Sequence, residues 1–388
     1  MAPLRVLELY SGIGGMHCGL TESGVSAEMV AAVDVNTTAN EVYKYNFPNT
    51  PLWPKSIEGI SLEELDSLAC DMILMSPPCQ PFTRIGLQGD VSDPRAKSFL
   101  YILEILPRLQ KRPHYILLEN VKGFEISEAR GALIRTLESC GYIYQEFLLS
   151  PPCLGIPNSR LRYFLIAKLQ GEQFAFQTTN KILAEFPRSG TPEPACSSSA
   201  ACQHSQTNQE SLRHKQWPEG AFLYKLETAD QLERKRSQDN DCSVQTLQGF
   251  LEESVEIGPY LLPPKSLLRY ALILDIVKPT CRRSTCFTKG YGHYMEGTGS
   301  FLQAATDVEI SSVYKSLETL SDEEKFAKLS TLKLRYFTPR EIANLHGFPA
   351  QFGFPDKITT KQRYRLLGNS LNVHIVSKLI SLLLQNTI

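Results

Sequence analysis

Three short apolar runs each lead to a residue able to do chemistry, and this regularity constrains the fold more than any other feature. Glu28 to Val33 delivers Asp34; Asp71-Met72-Ile73-Leu74-Met75 leads through Ser76-Pro77-Pro78 to Cys79; Tyr115-Ile116-Leu117-Leu118 ends in Glu119. Short apolar runs free of Gly and Pro read as buried parallel strands. Open α/β sheets bind ligands outside the carboxyl ends of their strands, so the three residues are expected on one sheet edge as a common site. Pro77-Pro78 would stiffen the loop and hold the Cys79 thiol in one place, which makes Cys79 the expected nucleophile. The tetrapeptide recurs as Ser150-Pro151-Pro152-Cys153 after the strand-like Tyr142 to Leu149. There Leu154-Gly155 stands where Gln80-Pro81 follows Cys79, and Cys153 is read as a loop coincidence.

The beginning of the chain supplies a cofactor frame. Leu4 to Tyr10 reads as a strand, Ser11-Gly12-Ile13-Gly14-Gly15 as a glycine turn, and the next residues as a helix to about Glu22. This is the start of a nucleotide-type α/β unit, although His17 stands where GxGxxG would place its third glycine. Asp34 is positioned to accept hydrogen bonds from ribose hydroxyls. Helices are expected at Thr37 to Asn46, Leu62 to Leu65, Lys97 to Gln110 and Ala129 to Cys140. Arg160 and Arg162 alternate just before the strand Tyr163 to Ala167, where two guanidiniums on one face would hold a phosphate or a base carbonyl.

A chain of 388 residues implies two or three domains, and its 42% hydrophobic content supports a large core. The net charge of −1 and pI near 6.7 confine any nucleic-acid surface to a local patch. No signal peptide is expected, and no apolar run of membrane-spanning length. Ten scattered cysteines fit a reducing compartment, the cytoplasm and also the nucleus, with free thiols and no metal site. The expected organisation is a catalytic domain over 1–186, a disordered Ser/Pro/Gln-rich insert over 187–221 containing Cys196 and Cys202, and a second region over 222–330. A return to the catalytic domain over 331–388 then carries a helix capped by Thr338-Pro339 and a terminal amphipathic helix to Leu384. In the second region, helices are expected near Leu232 and over Ser266 to Ile276, and the loop from Cys281 to Gly292 mixes cations with aromatics, which suits phosphates and unstacked bases.

Pro77-Pro78-Cys79-Gln80, Glu119-Asn120-Val121, Arg160-Leu161-Arg162, Arg335 through Glu341 and Gly368-Asn369-Ser370 follow the glycine turn in order. Together they resemble the ordered motifs of the cytosine-5 methyltransferases, over Leu4 to Ala167 and from Arg335 onward. The triplet Cys286-Phe287-Thr288 and the absence of a regulatory N-terminal region resemble the small branch called DNA methyltransferase 2, understood as a tRNA-aspartate methyltransferase. Asn158 departs from many bacterial relatives, which carry Gln before the two arginines.

The resemblance implies an α/β fold with a doubly wound, mostly parallel sheet of the S-adenosylmethionine-dependent methyltransferase type, and a smaller target-recognition domain. It places S-adenosyl-L-methionine against Ile13, Gly14, Gly15, Asp34, Ile57, Glu58, Ser76 and Ser370. Cys79 would add to cytosine C6, Glu119 would bind or protonate N3, Arg162 would hold the base carbonyl and Arg160 would support the loop. The target would be cytosine 38 in the anticodon loop of tRNA-aspartate, with duplex DNA a poor substrate. Arg282, Arg283, Cys286, Phe287, Thr288 and Lys289, with Tyr291 and Tyr294, are the expected RNA contacts. The alternatives are a DNA cytosine-5 methyltransferase and a non-catalytic, cofactor-holding RNA-binding protein. An NAD-dependent oxidoreductase would leave Cys79 with Glu119 unexplained, and zinc deamination lacks its H-x-E and P-C-x-x-C signature.

Overall fold

The apolar runs assemble into one seven-stranded sheet in a computed structural model that describes residues 2–78, 90, 93–187, 228–317 and 319–385. Its first half is β1 (Leu4–Leu9), α1 (Gly15–Glu22), β2 (Ala27–Val33), α2 (Thr37–Asn46), β3 (Leu52–Trp53), α3 (Leu62–Leu68) and β4 (Met72–Met75). Then come α4 (Lys97–Ile105), β5 (Tyr115–Val121), α5 (Glu128–Ser139), β6 (Tyr142–Leu149) and β7 (Arg162–Leu169). The strand order is β3-β2-β1-β4-β5-β7-β6. Strands β1 to β5 run parallel, whereas β7 is antiparallel to both β5 and β6. This matches the expected mostly parallel sheet, and the reversal has a use. Running backwards, β7 brings its first residue, Arg162, beside Val121 at the edge where β5 ends.

Alternation along the strands divides the interior between two faces. Leu7, Leu9, Ile73, Met75, Ile116 and Leu118 pack under α3, α4 and α5. Val6, Met72, Leu74, Leu117, Phe164 and Ile166 pack on the other side, with Met16 and Leu20 of α1. The sheet is therefore covered on both faces, as a doubly wound fold requires.

The second region contains α6 (Ala229–Asn240), α7 (Pro264–Tyr270), β8 (Ile276–Val277), β9 (Phe301–Gln303), α8 (Ile310–Lys315), α9 (Asp322–Ser330) and β10 (Leu334–Arg335). After it come α10 (Pro339–Leu345), α11 (Thr360–Asn369) and α12 (Val373–Leu384). In α10 the Thr338 hydroxyl accepts from the Glu341 amide and the Glu341 carboxylate accepts from Thr338, with Pro339 opening the helix.

Past residue 331 the chain contacts both regions before it reaches the large sheet. Leu334 and Arg335 pair with β9 in a second, three-stranded sheet, and Phe337, Ile342, Leu345 and Leu367 share a core with Leu247, Val277 and Phe301. The chain rejoins the large sheet from Leu371 onward, where Ile375, Val376, Leu379 and Ile380 pack beside Met16 and Leu20. Sequence also understated one hydrophobic stretch. Thr360–Leu384 is long and apolar enough to cross a membrane, but it is interrupted between α11 and α12 and is mostly buried in the protein. The expected insert falls on residues 188–227 almost entirely, and with Cys196 and Cys202 it lies outside the described residues.

Candidate active site

The first βα turn is built by local constraint. Tyr10 leaves β1 at φ 56°, Gly12 has φ +52° and Gly14 φ +87°, in the left-handed region that favours glycine. A Cβ on Gly14 would run into the Phe47 ring at the end of α2, which adds to the preference for glycine there. Asp34 fastens this turn to the next strand: Oδ2 accepts from the Gly12 amide at 2.8 Å and Oδ1 from the Asn36 amide at 2.7 Å. Each oxygen keeps further acceptor capacity. Burial raises the Asp34 carboxyl, with the amides of Asn36 and Gly12 pulling the other way.

The next strand end is tied in the same way. Ser76 donates from Oγ to the Tyr10 carbonyl at 3.1 Å, and Asn120 Nδ2 donates to the Pro77 carbonyl at 3.4 Å. Thus the segment leading to residue 79 is pinned to both β1 and β5. Cys79 itself lies outside the described residues. Cys153 lies in the turn Pro151–Leu154, away from the cavity.

These edges enclose a cavity of about 340 Å³. Ile13, Gly15, Asp34, Ser76, Pro77, Pro78, Glu119, Arg160, Arg162 and Ser370 all line it, so the structure gathers most of the expected residues. Gly14 is not on the lining; it packs against Phe47. Ile57 and Glu58 are not on the lining: Ile57 is buried among Leu9, Leu65 and Ile73, and Glu58 is exposed in the turn Ile57–Gly59, within electrostatic reach of Tyr10. The lining also includes Glu8, Ser11, Asn36 and Leu371, which pattern reading missed. A charged residue inside the apolar strand Leu4–Leu9 was the available signal for Glu8. A larger cavity of about 680 Å³, lined by Phe47, Phe348 and Phe352 among others, holds none of the expected residues.

Glu119 and Arg162 are the polar pair at the far wall. Arg162 Nε stands 3.4 Å from Glu119 Oε1, and both are largely buried. Burial pushes the Glu119 carboxyl up, while the charges of Arg162 and Arg160 draw it down and only partly offset the shift. A carboxyl so placed can keep a proton to offer to a ring nitrogen.

Arg160 is committed to backbone carbonyls of other segments. It is 2% exposed and donates from Nη1 to the Phe287 carbonyl at 3.0 Å, and from Nη2 to the carbonyls of Gly368 and Ser370. The guanidinium is a staple between the site loop, the second region and the end of α11. Nearby, desolvation would raise the Cys286 thiol, but the charges of Arg160 and Arg162 prevail and hold it below its ordinary range.

The expected RNA loop is largely interior. Phe287 is 1% exposed and meets Tyr291 and Phe337 edge-on at ring separations of 5.0 and 5.1 Å. Arg283 is buried in ion pairs with Asp275 at 2.9 Å and Asp239 at 3.3 Å, and Arg282 bonds to Asp239 and the Val244 carbonyl. Thr288 packs its backbone against Gly368, where a Cβ would clash. The residues turned outward are Lys289 and Tyr294, the latter 63% exposed. Asn158, the departure noted above, is buried and donates to Ser284 Oγ and the Thr285 carbonyl, so it joins the two regions.

The cavity suits an adenosine-type cofactor on its own evidence. Its size is that of a small-molecule site. Left-handed Gly12 bares backbone along it, the Ser11 hydroxyl is buried with no partner among the described residues, and Asp34 retains acceptor positions. The sequence matches the family model for C-5 cytosine-specific DNA methylases over residues 4–385. A curated rat protein named tRNA (cytosine(38)-C(5))-methyltransferase is 65% identical, covering 99% of this chain and 100% of its own. A human protein of the same name is 63% identical, with the same coverage. The fold is similar to a crystal structure of a Spodoptera frugiperda DNMT2 mutant, with a TM-score of 0.78 and 39% identity over 98% of this chain and all of the other.

Proposed function

Because the chain belongs to the C-5 cytosine-specific DNA methylase family, we propose that it transfers a methyl group from S-adenosylmethionine to C5 of cytosine 38 in tRNA, as its curated relatives are named for doing. The observation that carries this reading is the convergence of Glu119 and Arg162 with the glycine turn and Asp34 on one cavity, directly after Pro77-Pro78. S-adenosylmethionine, when bound, supplies an electrophilic methyl group on its sulfonium. The turn around Ser11 to Gly15, with Asp34, Ser76 and Ser370, would hold it.

Cytosine C5 is a weak nucleophile, and this chain's residues are suited to activate it. Addition of the Cys79 thiolate at C6 makes C5 enamine-like. Glu119, whose carboxyl burial pushes up, is placed to donate to N3 as charge builds on the ring, and Arg162 holds Glu119 and the base carbonyl in register. Arg160 keeps the two walls together. The base must leave its stack to enter, which costs a few kcal/mol and least for a loop nucleotide.

Among cellular tRNAs we propose tRNA-aspartate as the substrate and duplex DNA as a poor one; Lys289 and Tyr294 present a small cationic and aromatic surface of the kind that suits an exposed loop base. The test is methylation of total tRNA and duplex DNA in parallel at equal salt, with the product located by sequencing. Incorporation at cytosine 38 of tRNA-aspartate is expected. Comparable rates on duplex DNA would overturn the RNA assignment.

A further inference from the structure

Glu8 is the charged residue the mechanism has not used. It lies on β1 on the sheet face that α1 covers, is 1% exposed, and lines the cavity beside the glycine turn. Its oxygens accept from the Tyr43 hydroxyl at 2.9 Å and the His17 backbone amide at 3.3 Å, both neutral donors. Among the described residues no lysine or arginine forms an ion pair with it. The titratable groups around it give no positive charge: His17 and Cys18 come from α1, Tyr43 from α2 and Asp34 from the end of β2. Burial lowers the His17 imidazole to about 4, so the ring is neutral at physiological pH, and Asp34 adds negative charge. Desolvation, with a smaller push from Asp34, raises the Glu8 carboxyl to about 8.

A buried carboxylate without a counter-ion is unfavourable, and the remedy is either a proton or a cation. We propose that Glu8 is the protein's counter-ion for the positive charge of S-adenosylmethionine, and that it releases its proton to solvent when that charge enters the cavity. This rests on the cofactor reading above. The step balances: a neutral carboxylic acid and a cationic ligand become a carboxylate paired with that cation, and one proton passes to the buffer. The ligand's sulfonium and its ammonium are both cations of the required kind, and S-adenosylhomocysteine keeps only the ammonium.

Isothermal titration calorimetry of the whole protein with S-adenosylmethionine, near neutral pH in phosphate and in Tris, counts the protons because the two buffers differ in ionisation enthalpy. The wild type is expected to release most of one proton, and its affinity to tighten as pH rises towards the Glu8 range, by at most about tenfold per pH unit. Glu8→Gln, which keeps the shape, should bind with no net release and a flat pH profile. Release with S-adenosylhomocysteine equal to that with the cofactor assigns the ammonium; a smaller release assigns the sulfonium. Equal binding enthalpies in the two buffers for the wild type would overturn the proposal whether or not the Gln variant folds. An absence of cofactor binding at every pH would remove the cofactor reading and this inference together.

Discussion

Arg160 Nη2 donates to the carbonyl of Gly368 at 3.1 Å across 208 residues of sequence. The same guanidinium reaches the Phe287 carbonyl, so one planar fork joins three segments. A lysine has a point charge and cannot reproduce that spread. Arg160→Lys is therefore expected to lower stability by about 2–3 kcal/mol, the scale of hydrogen bonds to a charged group, and to depress methyl transfer at least tenfold. An unchanged denaturation midpoint by urea titration would show that the fork is not needed.

Cys79→Ala should abolish methyl transfer and leave cofactor affinity nearly unaltered, whereas Cys153→Ala keeps most of its activity. The basis is the pinned Ser76-Pro77-Pro78 segment at the cavity wall, from which Cys153 is absent. Single-turnover assays with calorimetry on both variants decide it: residual turnover in the Cys79 variant at a comparable rate means another nucleophile.

Arg335 and Glu341 form a buried pair, 2.7 Å apart with side chains 5% and 0% exposed, and Glu341 also caps α10. Removing one partner strands the other charge. Arg335→Ala should cost about 3–5 kcal/mol by chemical denaturation. A loss below 1 kcal/mol, the scale of a surface pair, would mean that water reaches Glu341 in the variant.

Lys289→Ala should weaken tRNA binding modestly and reduce the steepness of its salt dependence by about one counter-ion. Arg283→Ala should instead lower stability, because it leaves the largely buried Asp275 with less compensation and removes the tie to Asp239. The two variants separate by filter binding over a salt series alongside thermal unfolding. A large salt effect from Arg283 with unaltered unfolding would reverse the assignment.

What could be read from the sequence was what short stretches encode. The bounds of α1, β6 and α10 follow from a glycine turn, an apolar run and a Thr-Pro cap, and the strand ends Asp34 and Glu119 reach one cavity as their positions implied. The loop around Cys286 was misread because its cations and aromatics have the composition of a surface. Their partners Asp239, Asp275 and Phe337 come from distant segments, and no local pattern reveals that pairing. The pairing of β10 with β9 is illegible for the same reason, since it is a tertiary choice between two available sheets.

The packing of α12 on α1 has a consequence for biosynthesis. A Cβ on Gly19 would stand 2.5 Å from Val376, and Glu22 meets His374 at 2.7 Å, so the helix that begins the cofactor turn is completed by residues made more than three hundred positions later. On a ribosome, where early segments emerge first, α1 must wait with its apolar face uncovered until α12 emerges. Its glycine turn gains its last wall, Ser370 and Leu371, at that same moment. A nascent chain stalled before Leu371 should therefore engage chaperones and fail to retain S-adenosylmethionine, so that cofactor capture reports on the emergence of α12.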